Sequence, residues 1–373
     1  MTLLTELTLG QDLFISDLSI KIEHYLTHLG APTGCGKTTF VIEELAKKSK
    51  VLMLCPVNVQ VAQLAHDFKD DPRVQCLTAN DTSNSLDADV IVCVYDKLQQ
   101  LLDSGVHFSE YTLVIDEAHK IYQAASYRES ALTPILNAID DHTFKQVITI
   151  SATFQRDIFP LEFNEQIEIL HRNKSQPKAE VHFYKNRTSL EESLLTIYPT
   201  DGKVAIIRLN DKEAIKQMKV GFEMQDMRVL EIHSDNQKSS EVIQFLETSH
   251  IADYDIVLCT SLLDEAINIK NNNIEMVHIF GKLHCDEIKQ FIGRCRKSSP
   301  KFCLHLLNFE LNRVQIEISE ERKNLESLCH SALTFCTDLN KLGTPMSSAV
   351  SKVNYTVECH QRFSPIRYDS RDN

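Results

Sequence analysis

Between Gly30 and Thr39 the chain reads Gly-Ala-Pro-Thr-Gly-Cys-Gly-Lys-Thr-Thr, and from Ala31 to Thr38 this is the pattern A-x-x-x-x-G-K-T. Glycines at 34 and 36 free the backbone to turn successive N–H groups inward with no Cβ in the way. The stretch Ala31, Pro32, Thr33, Gly34, Cys35 and Gly36 is therefore a cradle for a polyphosphate. Lys37 can reach the β- and γ-phosphates as a point charge, and the Thr38 hydroxyl can ligate Mg²⁺. A helix is expected from here through Thr39, adding its N-terminal dipole to the anion site. Phe40-Val41-Ile42 to Leu45-Ala46 supplies its apolar face.

The rest of the chain alternates short apolar runs with helical patterns. Val51 to Pro56 reads as a buried strand closed by proline, followed by a helix from Val57 to Phe68 with Val61, Leu64, Ala65 and Phe68 at helical spacing. Val90 to Tyr95 is a second such strand, with a helix from Lys97 to Leu102 behind it. Thr112 to Ile115 then runs straight into Asp116-Glu117-Ala118-His119. Two adjacent carboxylates at the end of a strand suit nucleotide hydrolysis beside a phosphate loop: Asp116 to hold Mg²⁺ through its waters, Glu117 to accept a proton from the attacking water. Val147 to Ile150 is a further strand, ending in Ser151-Ala152-Thr153. This alternation predicts a parallel, doubly wound sheet with its ligands at the strands' C-terminal ends.

Upstream, Leu18 to His28 reads as a helix in a leader. Residues 172–180 are polar and carry a proline, which places an interdomain linker there. A second βα series follows, with strands at Val204–Leu209, Val229–His233, Ile256–Thr260, Met276–Phe280 and Phe302–Leu307, and helices at Glu213–Lys219 and Glu241–Glu247. It has no phosphate loop, but it carries the basic cluster Gln290-Phe291-Ile292-Gly293-Arg294-Cys295-Arg296-Lys297. From Val314 the pattern is helical, with Leu325, Leu328, Ala332, Phe335 and Leu339 on one face, before a tail from Gly343. The expected domains are residues 1–175, 180–310 and a helical extension with tail at 311–373.

A chain of 373 residues is long enough for more than one core. No apolar run approaches the roughly 20 residues that span a bilayer, and the first residues lack a basic n-region, which predicts a cytoplasmic protein with no membrane partner. The 11 cysteines are odd in number and sit mostly in strand-like runs, so a disulfide framework is not expected. Cys329-His330 and Cys359-His360, with Cys336 between them, fit no standard zinc spacing. The net charge of −13 excludes a generally basic surface but leaves room for a local basic groove.

Taken together, residues 30–310 resemble a superfamily 2 helicase of the DEAD/DEAH type. Ala31 to Thr38 is similar to motif I, the Pro56 segment to motif Ia, Asp116-Glu117-Ala118-His119 to motif II and Ser151-Ala152-Thr153 to motif III. Thr260 to Ile269 looks like motif V, and Gln290 to Lys297 like motif VI. The resemblance implies two tandem RecA-like domains with ATP and Mg²⁺ between them, Lys37, Thr38, Asp116 and Glu117 carrying binding and hydrolysis. It implies that His119, Ser151 and Thr153 couple the γ-phosphate state to domain closure. Gln290 and Arg294 would reach across from the second domain, Arg294 as the arginine finger, with Glu265 and Asn268 adding contacts to the nucleotide. Pro56, Asn58, Tyr95, Ser234 and Thr260 would lie on the nucleic-acid face.

Several positions depart from that family's pattern. Phe291 stands where many relatives carry the first arginine of motif VI, and the last position is Lys297 with Arg296 one residue earlier. The second finger position is therefore Arg296 or Lys297. Ala266 replaces a usual glycine and Asn268 a common aspartate. The stretch between motifs V and VI is too short for the hairpin of DEAH-type RNA helicases. The wording of motifs V and VI favours DNA as the partner, with RNA the alternative. The short C-terminal region leaves specificity to an accessory domain or protein partner.

Overall fold

The computed structural model describes residues 2–10, 14–78, 81, 86–124, 128–154, 159, 161–171, 178–263, 269–281, 285–295 and 297–307, with Ser319 and Lys323. Residues 1–118, 133–154 and 163–308 gather into one compact unit that contains both sheets. A second unit takes in 119–132, which hold the short helix α4 and the start of α5.

In chain order the first half contributes strands β1 (Leu3–Leu9) and β2 (Leu26–Gly30), helix α1 (Lys37–Phe40), β3 (Lys50–Cys55), α2 (Asn58–Asp67), β4 (Val74–Leu77) and β5 (Val90–Val94). It continues through α3 (Leu98–Asp103), β6 (Tyr111–Asp116), α4 (Lys120–Gln123), α5 (Glu129–Asp140), β7 (Gln146–Ser151) and β8 (Glu165–His171). These strands form one parallel sheet in the order β1-β8-β2-β7-β6-β3-β5-β4. The central strands are apolar because both faces are covered: every residue of β2, β5 and β6 is buried. After α1 the helix widens into a π turn, Val41–Leu45, and Phe40, Val41 and Ile42, neighbours in sequence, are all buried.

The second half contributes β9 (Ala179–Tyr184), α6 (Arg187–Leu194), β10 (Val204–Leu209), α7 (Lys212–Glu223), β11 (Val229–Ile232), α8 (Ser240–Thr248), β12 (Ile256–Cys259), β13 (Ile274–Phe280), α9 (Cys285–Ile292) and β14 (Lys301–Leu307). Its strands form a second parallel sheet, β11-β12-β10-β13-β14-β9. Local capping sets where the helices begin. The Asp211 carboxylate accepts from the N–H groups of Glu213 and Ala214 at α7, and Ser239 Oγ accepts from Val242 N–H at α8. Among the described residues no helix is long and apolar enough to cross a membrane.

The structure corrects the expected helix from Leu18 to His28. Leu18, Ile20 and Ile22 alternate with exposed neighbours, the period of an extended chain; they pack on the first core. Leu26–Gly30 is strand β2, paired with both β7 and β8. The stretch before it adds the edge strand β1. The linker proposed for 172–180 also ends earlier than expected, since β9 begins at Ala179 and pairs with β14. Residues 172–177, the extension and tail apart from Ser319 and Lys323, and the cysteines at 329, 336 and 359 lie outside the described residues.

Candidate active site

All the motif-bearing turns of the first sheet fall at the C-terminal edge of parallel strands: the phosphate loop after β2, Pro56 after β3, Tyr95 after β5, the acidic pair at β6 and Ser151 at β7. That is where a doubly wound sheet holds its ligands. Gly34 and Gly36 adopt φ of 81° and 84°, the left-handed region that glycine enters without strain. A Cβ on Gly36 would also meet Phe14, with its Cδ1 3.1 Å away. Lys37 Nζ donates to Ala31 O at 3.2 Å, folding the lysine back over the loop. Cys35 Sγ donates to Pro32 O at 2.7 Å, closing the same turn. Thr38 and Thr39 stand on α1, whose N-cap is Gly36.

Asp116 and Glu117 are both buried, 5% and 6% exposed, which is costly for adjacent carboxylates. Burial first, then the neighbouring Glu117, pushes the Asp116 carboxyl above the usual carboxylate range; Lys37 and Gln60 pull the other way. Gln60 Nε2, from the first turn of α2, donates to Asp116 Oδ2 at 2.5 Å. Asp116 Oδ1 is buried with no hydrogen-bond partner. An orphaned carboxylate oxygen facing a phosphate loop fits a divalent cation held by Asp116 and Thr38, with Glu117 beside it. Glu117 takes a left-handed backbone, φ 49°, which strains a residue with a Cβ and turns its side chain away from the strand line. Ala118 N–H then donates to Ile150 O at 3.0 Å, fixing the turn against β7.

The second sheet reaches this pair through α9 and the residues just after it. Arg294 is 7% exposed, and its guanidinium stands 3.7 Å from Glu117 Oε1. Gln290 Nε2 donates to Thr153 Oγ1 at 2.9 Å. Thr153 is held in turn by Ser151, whose Oγ donates to Thr153 O at 3.0 Å. Ile269 N–H donates to Arg294 O at 2.9 Å, tying the stretch after β12 to the arginine. The structure thus brings Gln290, Arg294, Ser151, Thr153, Asp116, Glu117 and Lys37 to one place. His119 is fully buried at the N-cap of α4. Glu265, Asn268 and Arg296 lie outside the described residues.

On the second sheet, Ser234 and Thr260 line one cavity of about 260 Å³ with Asn210, Lys212, Ser261 and Leu262. Asn58 is exposed at the start of α2, and Pro56 is buried beneath it. Tyr95, expected on the nucleic-acid face, is 1% exposed, and its hydroxyl donates to Asp116 O, bracing the acidic pair.

Two site residues escape a motif reading. Gln60 belongs to the Pro56 segment but points at Asp116, and only the helical start at Asn58 hints at that direction. His28 lies two residues before Gly30, fully buried, with Nδ1 2.9 Å from Thr149 Oγ1 and its ring stacked 3.9 Å from Phe154. Burial, then the charge of Lys37, pushes its pKa down to about 3, which keeps the imidazole neutral behind the loop.

The DEAD/DEAH box helicase family model matches residues 5–160. No curated protein sequence matches the chain. Among solved structures, Mss116p bound to single-stranded RNA and AMP-PNP superposes with a TM-score of 0.58 at 14% identity, over 92% of this chain and 82% of that one. Dbp5 of S. cerevisiae bound to RNA and ADP BeF3 gives 0.55 at 15% identity, over 80% and 83%. The helicase Lhr of Mycobacterium smegmatis, bound to single-stranded DNA and AMP-PNP, gives 0.55 at 15%, over 76% of this chain and 43% of that one. Residues 5–160 thus match the DEAD/DEAH box helicase family model, and the two parallel sheets share the fold of these helicase structures.

Proposed function

We propose that this chain couples ATP hydrolysis to movement along a single strand of nucleic acid, with DNA the favoured polymer and RNA the alternative. The observation that carries the reading is the meeting of Arg294, from the second sheet, with Glu117 of the first, 3.7 Å apart and both buried. Hydrolysis therefore depends on how the two sheets sit, which is what a motor needs. Glu117 accepts the proton of the attacking water, Arg294 stabilises charge on the transferred phosphoryl oxygens, and the loop from Ala31 to Thr39 grips the phosphates. Asp116 and Thr38 hold Mg²⁺, which supplies charge neutralisation when bound. Ser151, Thr153 and His119 carry the link between nucleotide state and domain position. Working domains of 1–175 and 180–310, followed by the extension at 311–373, fit this division of labour.

The cavity lined by Ser234, Thr260 and Lys212, whose ammonium pairs with Asp235 at 2.6 Å, supports a phosphate of the tracked strand on the second sheet. Asn58 would serve the same strand on the first. A second reading keeps the ATPase but not unwinding, as an ATP-gated clamp or remodeller; an accessory partner would then supply the specificity. ATP hydrolysis measured without polymer and with single-stranded DNA, duplex DNA and single-stranded RNA, against Lys37→Ala and Glu117→Gln, tests the proposal. Stimulation by one polymer, lost in both variants, supports it and names the polymer. Stimulation without displacement of a labelled strand favours the clamp, and hydrolysis indifferent to every polymer overturns both.

A further inference from the structure

The edge of the second sheet carries a chemically dense patch of residues given no part in the function proposed above. The register of β9 on β14 sets Glu180 beside Cys303 and His182 beside His305, and β13 sets His278 beside Cys303. Because side chains alternate along a strand, these residues share one face across three neighbouring strands. One ligand atom each from Glu180, His182 and Cys303 lies within 4.8 Å of the others. Glu180 Oε2 is already 3.7 Å from His182 Nε2. Ligands around a tetrahedral zinc, bonded at about 2.0–2.3 Å, stand about 3.3–3.8 Å apart.

We propose that Glu180, His182 and Cys303 form a binding site for a divalent transition-metal ion, zinc by preference, which ties the edge strand β9 to β14. Thiolate, imidazole and carboxylate together are the borderline-soft donor set that selects zinc over magnesium or calcium. Three protein ligands leave the fourth position to water. Cys303 is 5% exposed, so the thiol meets the ion at the floor of the site, while Glu180 and His182 on the edge strand are open to its entry.

The residues behind the ligands orient them. The His182 ring stacks on His305 with centroids 5.3 Å apart. His305 is itself fixed, Nε2 2.8 Å from His278 Nδ1 and Nδ1 3.0 Å from Tyr184 Oη. Opposing the ion is Lys301, whose Nζ stands 2.9 Å from Glu180 Oε2. Both partners are more than half exposed, at 59% and 56%, so this ion pair is readily exchanged for a metal. Binding converts the Cys303 thiol to thiolate and releases its proton to solvent.

Titration of the chelator-stripped full chain with Co²⁺, followed by displacement with Zn²⁺, tests the site. One equivalent of Co²⁺ should produce thiolate-to-cobalt charge-transfer absorption, which Cys303→Ser abolishes. His182→Ala, at an exposed edge position where folding is undisturbed, should weaken binding by at least about tenfold. Cys76→Ser, a thiol on the other sheet, should change nothing. Charge-transfer absorption that survives Cys303→Ser places the metal elsewhere and overturns the proposal, as does unaltered Co²⁺ affinity in His182→Ala.

Discussion

Gly293 follows α9 immediately and lies against the phosphate loop. A Cβ at this position would stand 2.5 Å from Thr33 Oγ1, 3.1 Å from its Cβ and 3.2 Å from its Cγ2. Thr33 is β-branched, so rotating χ1 only exchanges one clashing atom for another. Gly293→Ala must therefore push α9 away from the loop by several tenths of an ångström, and Arg294, the next residue, moves with it. Overpacking of this kind costs about 1–3 kcal/mol. The strain exists only while α9 meets the loop, so it falls on the arrangement that brings Arg294 to Glu117. At about 1.4 kcal/mol per tenfold, kcat/KM for ATP should fall by about 5- to 150-fold. Steady-state hydrolysis with saturating polymer measures this, with thermal melting recorded alongside to show that the variant is folded. Thr33→Ala in the same chain removes Oγ1 and Cγ2 and should restore part of the loss, a coupling of at least about 0.5 kcal/mol in the double-mutant cycle. Wild-type activity in Gly293→Ala, or no recovery with Thr33→Ala, would refute the reasoning.

Asp116→Asn should abolish hydrolysis yet stabilise the nucleotide-free fold by about 1–3 kcal/mol at pH 7.5, because it removes a buried charge beside Glu117. The folded-state pKa of Asp116 is raised, so the charged form destabilises at high pH. The variant's advantage in chemical denaturation should therefore shrink as the pH falls and the native carboxyl takes up its proton. Tyr95→Phe should cost about 1–2 kcal/mol of stability through the lost bond to Asp116 O while leaving single-strand affinity unchanged; weakened nucleic-acid binding would return Tyr95 to the polymer face. For His28, the pKa of about 3 in the fold lies below the ordinary 6.5, so its contribution is present above pH 6.5 and lost as the pH falls. Unfolding free energies from urea melts should drop by about 2.5 kcal/mol between pH 7 and 4.5 on this account. His28→Phe, which keeps the ring against Phe154, should flatten that limb, and an identical slope in the variant would sink the assignment.

Strands buried on both faces were readable because they are short apolar runs bounded by turn signals: Val90 to Val94 and Tyr111 to Asp116 appear nearly residue for residue. The edge strands β1, β4 and β9 were not: they mix polar with apolar residues, each is paired on one side only, and β9 is exposed along almost its whole length. The period of two at Leu18, Ile20 and Ile22 was present in the sequence, but it competed with a helical reading in which Leu18 and Ile22 are also four apart. Packing of these three on the first core decided for extended chain, and pairing with β7 and β8, which no local pattern can announce, made Leu26–Gly30 a strand. Helix α5 was hidden for a different reason, since Pro134 stands within it.

The site was legible where a backbone shape or a strand end dictates residue type, as at Gly34, Gly36 and Asp116, and opaque where a contact is made across the fold. Helix α2 shows why. Its amphipathic spacing identifies a helix, and its position after β3 suggests a face toward nucleic acid. Yet Gln60 and Gln63, three residues apart and so on one side, do different work. Gln60 holds Asp116 at 2.5 Å, whereas Gln63 Nε2 donates to Ser249 Oγ of the second sheet. Val59 on the same helix packs against the second sheet's core, and Asp67 at its end accepts from Lys270 at 3.5 Å. One element therefore touches Asp116 at its start and the second sheet along its length. The second sheet thus reaches the acidic pair by two routes, through Arg294 after α9 and through α2 with Gln60, and only the first is written in a motif.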